Sequence, residues 1–81
     1  MKSEKMGLTF KQKQIYDFIV LFEKQVGVYP TYREIMAGKI EDTQLIPKRV
    51  STNHIFRTMN ALVERKWIEK MPNRERGIKI L

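Results

Sequence analysis

An 81-residue chain can form one small hydrophobic core, and the lack of cysteine excludes disulfides and thiolate metal sites. A single histidine also excludes a histidine-based zinc site, so we expect no metal and no cofactor. Sixteen Lys and Arg against nine Asp and Glu give a net charge of +7, which favours a polyanionic partner, nucleic acid before an anionic membrane. A merely soluble, lysine-rich surface is the alternative interpretation.

The positive charge is concentrated in one half of the chain. Residues 1–46 hold seven basic and six acidic side chains, whereas residues 47–81 hold nine basic and three acidic side chains. The longest apolar run, residues 18–22, is far shorter than the roughly 20 residues of a membrane span. The N-terminus also lacks the pattern of a signal peptide. We therefore expect a cytoplasmic protein without a membrane partner, whose basic half contacts the polyanion.

Residues 1–7 are predicted to be a flexible tail, and residues 8–81 to form the domain. Two helices are predicted in the first half of the chain. Thr9 and Gln12 have capping-box spacing, and Gly27 is a plausible stop, which predicts a helix at about 10–26. Its apolar stripe contains Ile15, Phe18, Ile19 and Phe22. Thr31 and Glu34 form a second capping box before a short helix that soon meets Gly38.

Residues 38–50 have no assigned structure, since Pro47 argues against a continuing helix. Their apolar side chains, at Ile40, Leu45, Ile46 and Val50, predict a loop that folds back onto the core. Ile40 and Leu45 can also be interpreted as exposed, which favours a protein partner that binds through the 38–50 loop.

The second half predicts one longer helix and a β-hairpin. Ser51 is a good N-cap, and a core-facing stripe of Ile55, Met59, Leu62 and Val63 extends the helix to Arg65 or Lys66. Residues 67–71 and 77–81 alternate as two short strands around a polar segment. The predicted fold class is therefore mainly α with a small β-hairpin, a winged helix-turn-helix of three helices plus a two-stranded wing.

In that arrangement helix 51–66 lies in the DNA major groove, which is wide enough for one helix, and the 72–77 wing lies beside the backbone or minor groove. Asn53, Arg57 and Asn60 follow at i, i+4 and i+7, away from the apolar stripe, with His54 on their flank. Asn pairs with adenine and Arg with guanine. Phe56 has two interpretations: it contacts a thymine methyl group, or it packs beside Val63.

The candidate contacts to the DNA backbone lie before, within and after this helix. Lys48 and Arg49 precede the helix N-terminus, where free amides favour a phosphate. The remaining candidates occupy the first turn of the second helix, the recognition helix and the wing, namely Tyr32, Arg33, Asn60, Asn73, Arg74 and Arg76. For each charged residue the alternative is an ordinary solvated side chain.

Catalysis is not expected. The four glycines are scattered and form no phosphate loop. His54 and Ser51 would lie on one helical turn without an orienting carboxylate, so they do not form a convincing nucleophile–base pair.

Four segments in order resemble the N-terminal DNA-binding domain of the LexA repressor family. They are "LTFKQKQIYDFI" at 8–19, "GVYPTYREI" at 27–35, "STNHIFRTMNALVERKWIE" at 51–69 and "RGIKIL" at 76–81. The resemblance implies a winged helix-turn-helix that binds operator DNA and represses transcription. It also implies a base-facing set made of Ser51, Asn53, His54, Phe56 and Arg57. Acidic residues often occupy the positions of Phe56 and Arg57 in the family, so a different operator sequence is expected.

Two further departures from the family concern the link and the dimer. The link between the second and third helices, within residues 36–50, is longer than usual, and it either lengthens the second helix or forms a loop that contacts DNA or a protein. These 81 residues do not include the family's self-cleaving dimerisation domain. If the chain is complete, we expect no autocleavage and dimer contacts from elsewhere; the alternative is that it is a fragment of a longer repressor. The sequence thus favours a specific double-stranded DNA-binding transcription regulator, with a protein-interaction module that binds another regulator or polymerase as the alternative. Non-specific nucleic-acid binding requires only the charge.

Overall fold

The computed structural model describes residues 7–48, 52–71 and 76–81. These ranges contain three helices and two antiparallel sheets of two strands each. The elements in chain order are α1 (Phe10–Val26), α2 (Tyr32–Ala37), β1 (Lys39–Ile40), β2 (Thr43–Gln44), α3 (Thr52–Glu64), β3 (Ile68–Lys70) and β4 (Ile78–Ile80). The expected mainly helical chain with a small C-terminal hairpin is confirmed.

Helix α1 has the predicted bounds and both predicted caps. The Thr9 hydroxyl accepts from the Gln12 amide at 3.2 Å, while the Gln12 side chain accepts from the Thr9 amide at 3.1 Å. Gly27 ends the helix in the left-handed conformation, with φ 93°. The predicted stripe is buried. The helix therefore presents one apolar side to the core and leaves its other side to solvent.

Helix α2 is short because both of its ends are fixed by the sequence. Thr31 and Glu34 close a second capping box, and Gly38 at φ 70° stops the helix after Ala37. The longer link to α3 therefore does not lengthen α2. The single fully buried residue of this helix is Ile35, and Tyr32 and Met36 pack partly against the core beside it.

The link contains a hairpin that the sequence did not reveal. β1 pairs with β2 through a two-residue turn at Glu41 and Asp42. The Gly38 carbonyl accepts from the amides of Leu45 at 2.8 Å and Ile46 at 3.2 Å, which returns the chain to the end of α2. Ile40 and Ile46 are buried, so the prediction that this segment folds onto the core is confirmed for those two residues, and an exposed Ile40 was wrong. Val50 lies outside the described residues.

Helix α3 carries the predicted stripe and ends at Glu64, one or two residues before the predicted end, in a Schellman motif. Ile55, Met59 and Leu62 are fully buried, and Val63 packs partly against the core. Lys66 adopts φ 69°, and the Trp67 amide donates back to the Leu62 carbonyl at 2.9 Å. This reversal directs the chain straight into β3.

Strands β3 and β4 form the predicted C-terminal hairpin, with Ile68 opposite Ile80 and Lys70 opposite Ile78. Ile68 and Ile78 are buried, whereas Glu69 and Lys79 face solvent as a cross-strand pair. The hairpin thus closes the core beneath α3 with one face and exposes a charged face. The core as a whole draws on all three helices, the link and this hairpin, through Ile15, Phe18, Ile19, Phe22, Ile35, Ile40, Ile46, Ile55, Met59, Leu62, Ile68 and Ile78.

Candidate nucleic-acid interface

The outer face of α3 is defined here by Asn53, Arg57 and Asn60, which are all exposed. The opposite stripe is buried, so the rotation of the helix about its axis is fixed by packing. Glu64, the last residue, is the only acidic side chain of α3. Glu64 is exposed and lies one turn beyond Asn60 on this same face, so the outer face offers two amides and one guanidinium with one carboxylate at its C-terminal end.

His54 is less open than its neighbours on this helix. Its side chain is half-buried, and its Nε2 atom is buried. It lies at the margin of the outer face, as the sequence suggested, but it does not project as Asn53 and Arg57 do. Ser51, the remaining member of the predicted base-facing set, lies outside the described residues.

Phe56 joins the outer face to α2. Its side chain is 47% exposed, and its ring lies 5.2 Å from the Tyr32 ring, centroid to centroid, with the planes inclined by 51°. This is a favourable geometry for an aromatic pair. The observed ring partner is therefore Tyr32 in α2, a contact that neither sequence interpretation of Phe56 included.

Lys70 extends the same cluster into the hairpin. Its ammonium nitrogen lies 5.7 Å from the centroid of the Tyr32 ring, within the range of a cation–π contact. The Tyr32 hydroxyl oxygen is buried and has no hydrogen-bond partner within the described residues. Tyr32 was expected to contact a phosphate, but a buried hydroxyl cannot do so. Its ring instead supports Phe56 from behind.

Arg76 connects the C-terminal hairpin to the start of α2. Its guanidinium forms a two-pronged pair with the Glu34 carboxylate, with Nη1 to Oε1 at 2.7 Å and Nη2 to Oε2 at 3.1 Å. Nη1 also donates to the Tyr29 carbonyl at 2.9 Å. We predicted Arg76 as a wing contact to DNA. In this structure these partners make Arg76 a link between the hairpin and α2. A DNA contact by Arg76 stays a prediction.

Glu34 is the centre of this junction. Its Oε1 atom accepts from the Thr31 amide at 2.8 Å as well as from Arg76. The hydrogen bonds from Arg76, and secondarily those from Thr31, lower the pKa of Glu34 despite the opposing effect of burial. The carboxylate therefore stays charged and holds both the helix cap and the hairpin.

The other predicted backbone contacts are partly placed. Arg33 is exposed and lines a groove of about 440 Å³ together with Thr31 and Arg76. Lys48 is exposed at the end of the link. Three further candidates, Arg49, Asn73 and Arg74, lie outside the described residues. The exposed cations on α2, the link, α3 and β3 thus include Arg33, Lys48, Arg57 and Lys70.

A second surface lies along α1 and the link, and we call it the α1 groove. Phe10, Lys13, Asp17, Leu21 and Leu45 line it, around a volume of about 570 Å³. Phe10 is 79% exposed and Leu45 is 39% exposed. Lys13 and Asp17 form an exposed ion pair at 2.9 Å on the same surface. Of the two residues predicted to be exposed in the link, Leu45 is therefore exposed, unlike Ile40.

Arg65 shows a third way in which this chain uses a basic side chain. Its Nη1 atom donates to the Gly7 carbonyl at 3.0 Å and to Oε1 of Gln12 at 2.9 Å. These bonds tie the end of α3 to the start of α1. Neither this arginine nor Lys70 was singled out from the sequence, because the partners of both lie far away along the chain.

Two negative findings apply to the ranges given above. No group of three or more histidine, acidic or cysteine side chains is placed to hold a metal ion among them. No helix in those ranges is long and apolar enough to cross a membrane.

The chain matches no protein-family model, and no curated protein matches it. The resemblance to the LexA family therefore remains a prediction from four sequence segments.

Proposed function

We propose that this domain is a winged helix-turn-helix that binds double-stranded DNA in a sequence-specific manner and acts as a LexA-like transcription repressor. The observation that carries the proposal is the outer face of α3, where exposed Asn53 and Arg57 stand opposite a fully buried stripe. A packed helix that presents amide and guanidinium groups can offer bidentate hydrogen bonds to adenine and guanine in the major groove.

The surroundings of α3 support the same function. The first turn of α2 abuts α3 through the Tyr32–Phe56 contact, and a β-hairpin follows α3 directly. In the proposed complex Arg33 and Lys48 contact phosphates on either side of the groove. The junction made by Arg76 and Glu34 sets the angle of the wing rather than contacting DNA itself.

A single domain of this kind covers one half-site. Two copies on an inverted repeat would place their α3 helices in successive major grooves and raise the affinity. A homodimer on DNA is thus part of the proposal, and double-stranded DNA is the partner. The segments 8–19, 27–35, 51–69 and 76–81, which resemble the LexA family, support the repressor role.

The proposal is tested by selecting duplexes from a random library and measuring the affinity of variants for the enriched sequence. Asn53→Ala and Arg57→Ala should each lower the affinity by about 1–3 kcal/mol and relax the preference at one base pair. Gln25→Ala and Lys24→Ala are the matched controls, because they remove an exposed amide and an exposed cation from α1. Equal binding to all sequences would contradict specific recognition and leave only the charge-driven, non-specific function.

The second candidate function is a protein-interaction module, and the α1 groove is the observation that favours it. The groove has an apolar lining, and Lys13 and Asp17 lie at its rim. These features fit an amphipathic helix of another regulator or of polymerase that carries both basic and acidic residues beside its apolar stripe. If the domain binds no duplex even at low salt, this function replaces the first. Phe10→Ala with Leu45→Ala would then abolish partner binding, whereas Arg57→Ala would not change it.

A further inference from the structure

Phe56 is an unusual side chain for the edge of a polar helix face. Its neighbours on the exposed side of α3 are Asn53, Arg57 and Asn60, and 47% of its own surface is open to solvent. A half-exposed aromatic ring leaves apolar surface in water unless a ligand covers it.

The ring is held in place rather than free to turn away. The Tyr32 ring packs against it at 5.2 Å, and Tyr32 is in turn fixed by its buried hydroxyl end and by Lys70 above its ring. Tyr32 in α2 therefore packs against the Phe56 ring, and Lys70 in β3 lies over Tyr32, while nearly half of Phe56 stays exposed. A ligand that contacts this exposed part loses little affinity to ordering the ring, because the ring is already packed.

The chemistry of the major groove offers Phe56 one matching group. Base edges there present hydrogen-bond donors and acceptors, for which a phenyl ring has no partner atom. They also present the C5-methyl group of thymine, against which a phenyl ring can pack. Asn53 and Arg57, three residues before Phe56 and one after it, supply the hydrogen bonds to neighbouring bases.

We propose that Phe56, supported by Tyr32, reads a pyrimidine C5-methyl group next to the base pairs read by Asn53 and Arg57. This inference rests on the proposed function. It specifies one base of the DNA sequence that the domain recognises, a thymine whose methyl group covers the exposed part of the Phe56 ring. Tyr32 acts here as a positioning residue, without contacting the base.

The test uses the duplex enriched by selection, in which each thymine is replaced in turn by deoxyuridine, a change that removes only the methyl group. One replacement should weaken binding of the unmodified protein about fourfold, the factor for one buried methyl group. 5-Bromodeoxyuridine at that position, with a bromine of similar size to the methyl group, should restore it. Phe56→Ala should bind the thymine and uracil duplexes equally, and Phe56→Leu, which keeps apolar bulk and guards against a folding defect, should retain part of the difference.

Two variants of Tyr32 separate support from direct contact. Tyr32→Phe removes only the buried hydroxyl and should keep the fourfold preference for the methyl group, whereas Tyr32→Ala removes the supporting ring and should reduce that preference. If no thymine shows a methyl effect, or if Phe56→Ala keeps the full effect, the inference is overturned while the enriched duplex still supports the proposed function. Failure to enrich any duplex would instead overturn the proposed function, and this inference with it.

Discussion

Arg57 and Arg76 both lie in the basic half of the sequence, yet the structure uses them in opposite ways. Arg57 projects from the outer face of α3, whereas Arg76 is bonded to Glu34 and to the Tyr29 carbonyl at the junction of α2 and the C-terminal hairpin. The difference teaches that net charge locates a surface only coarsely. Arg76 has internal partners and connects two elements of the domain, whereas Arg57 is exposed on the outer face.

We therefore expect substitutions at the Arg76–Glu34 junction, or in α2, which carries Glu34, to change the stability of the domain. Substitutions on the outer face of α3 should instead change its affinity for DNA. The largest expected effect is at Gly38, where a β-carbon would collide with the Ile46 carbonyl oxygen. Gly38→Ala should lower the free energy of unfolding by about 2–4 kcal/mol, from the left-handed backbone and from overpacking together.

Urea denaturation of the isolated domain measures this loss. Gly27→Ala is the matched control, because Gly27 is also left-handed at φ 93° but has no atom within 4 Å of an added β-carbon. It should lose only the backbone cost of about 1–2 kcal/mol. Equal losses for the two variants would show that the contact with Ile46 does not constrain α2.

Arg57→Ala tests the outer face. We expect it to weaken binding of the selected duplex by about 1–3 kcal/mol, because a bidentate contact to guanine is lost. The free energy of unfolding should change by less than about 0.5 kcal/mol, as for other exposed sites without partners. Fluorescence anisotropy and urea denaturation give the two values, and a variant that loses stability rather than affinity would reverse the roles assigned to the two arginines.

Arg76→Ala should give the converse pattern. The loss of its partly exposed pair with Glu34 should cost about 0.5–1 kcal/mol of unfolding free energy. The dependence of DNA affinity on salt should keep its slope, because Arg76 is assigned no phosphate contact. A slope reduced by about one unit would show that Arg76 leaves Glu34 and binds a phosphate in the complex.

The smallest effect is the pH dependence of stability. The folded-state pKa of Glu34 lies below its ordinary value of 4.5, so its contribution is fully present above that value. It is lost as the pH falls from there through the lowered pKa. Glu34→Gln should therefore be less stable than the unmodified protein at neutral pH, and the difference should shrink in this acidic window. A difference that stays constant with pH would disprove the assigned role of the Glu34 charge.

The sequence predicted those features that depend on neighbouring residues. The structure confirms both capping boxes and the apolar stripes of α1 and α3, which depend on spacings of three or four residues. It also confirms the stop at Gly38, which depends on a single glycine. The link hairpin was not predicted, because strands of two residues are too short to show alternation.

Contacts between distant residues could not be inferred in the same way. Arg76 and Glu34 are 42 positions apart, and no local pattern marks an arginine that will find an internal carboxylate. The Tyr32–Phe56 contact likewise depends on how α2 crosses α3. Asn53 and Arg57 are exposed, as predicted. That prediction depended only on the apolar stripe of the same helix, because residues on the side away from the stripe face solvent. Their role in reading DNA remains a proposal.

The most direct test of the central claim is an NMR titration of the domain, labelled with ¹⁵N, with the selected duplex. If the outer face of α3 reads DNA, the largest shift changes should fall on residues 53–60, with smaller ones at Arg33 and Lys70. The residues of the α1 groove, including Phe10, Leu21 and Leu45, should change little. Shifts concentrated in the α1 groove, with α3 unaffected, would contradict the account and assign binding to that groove.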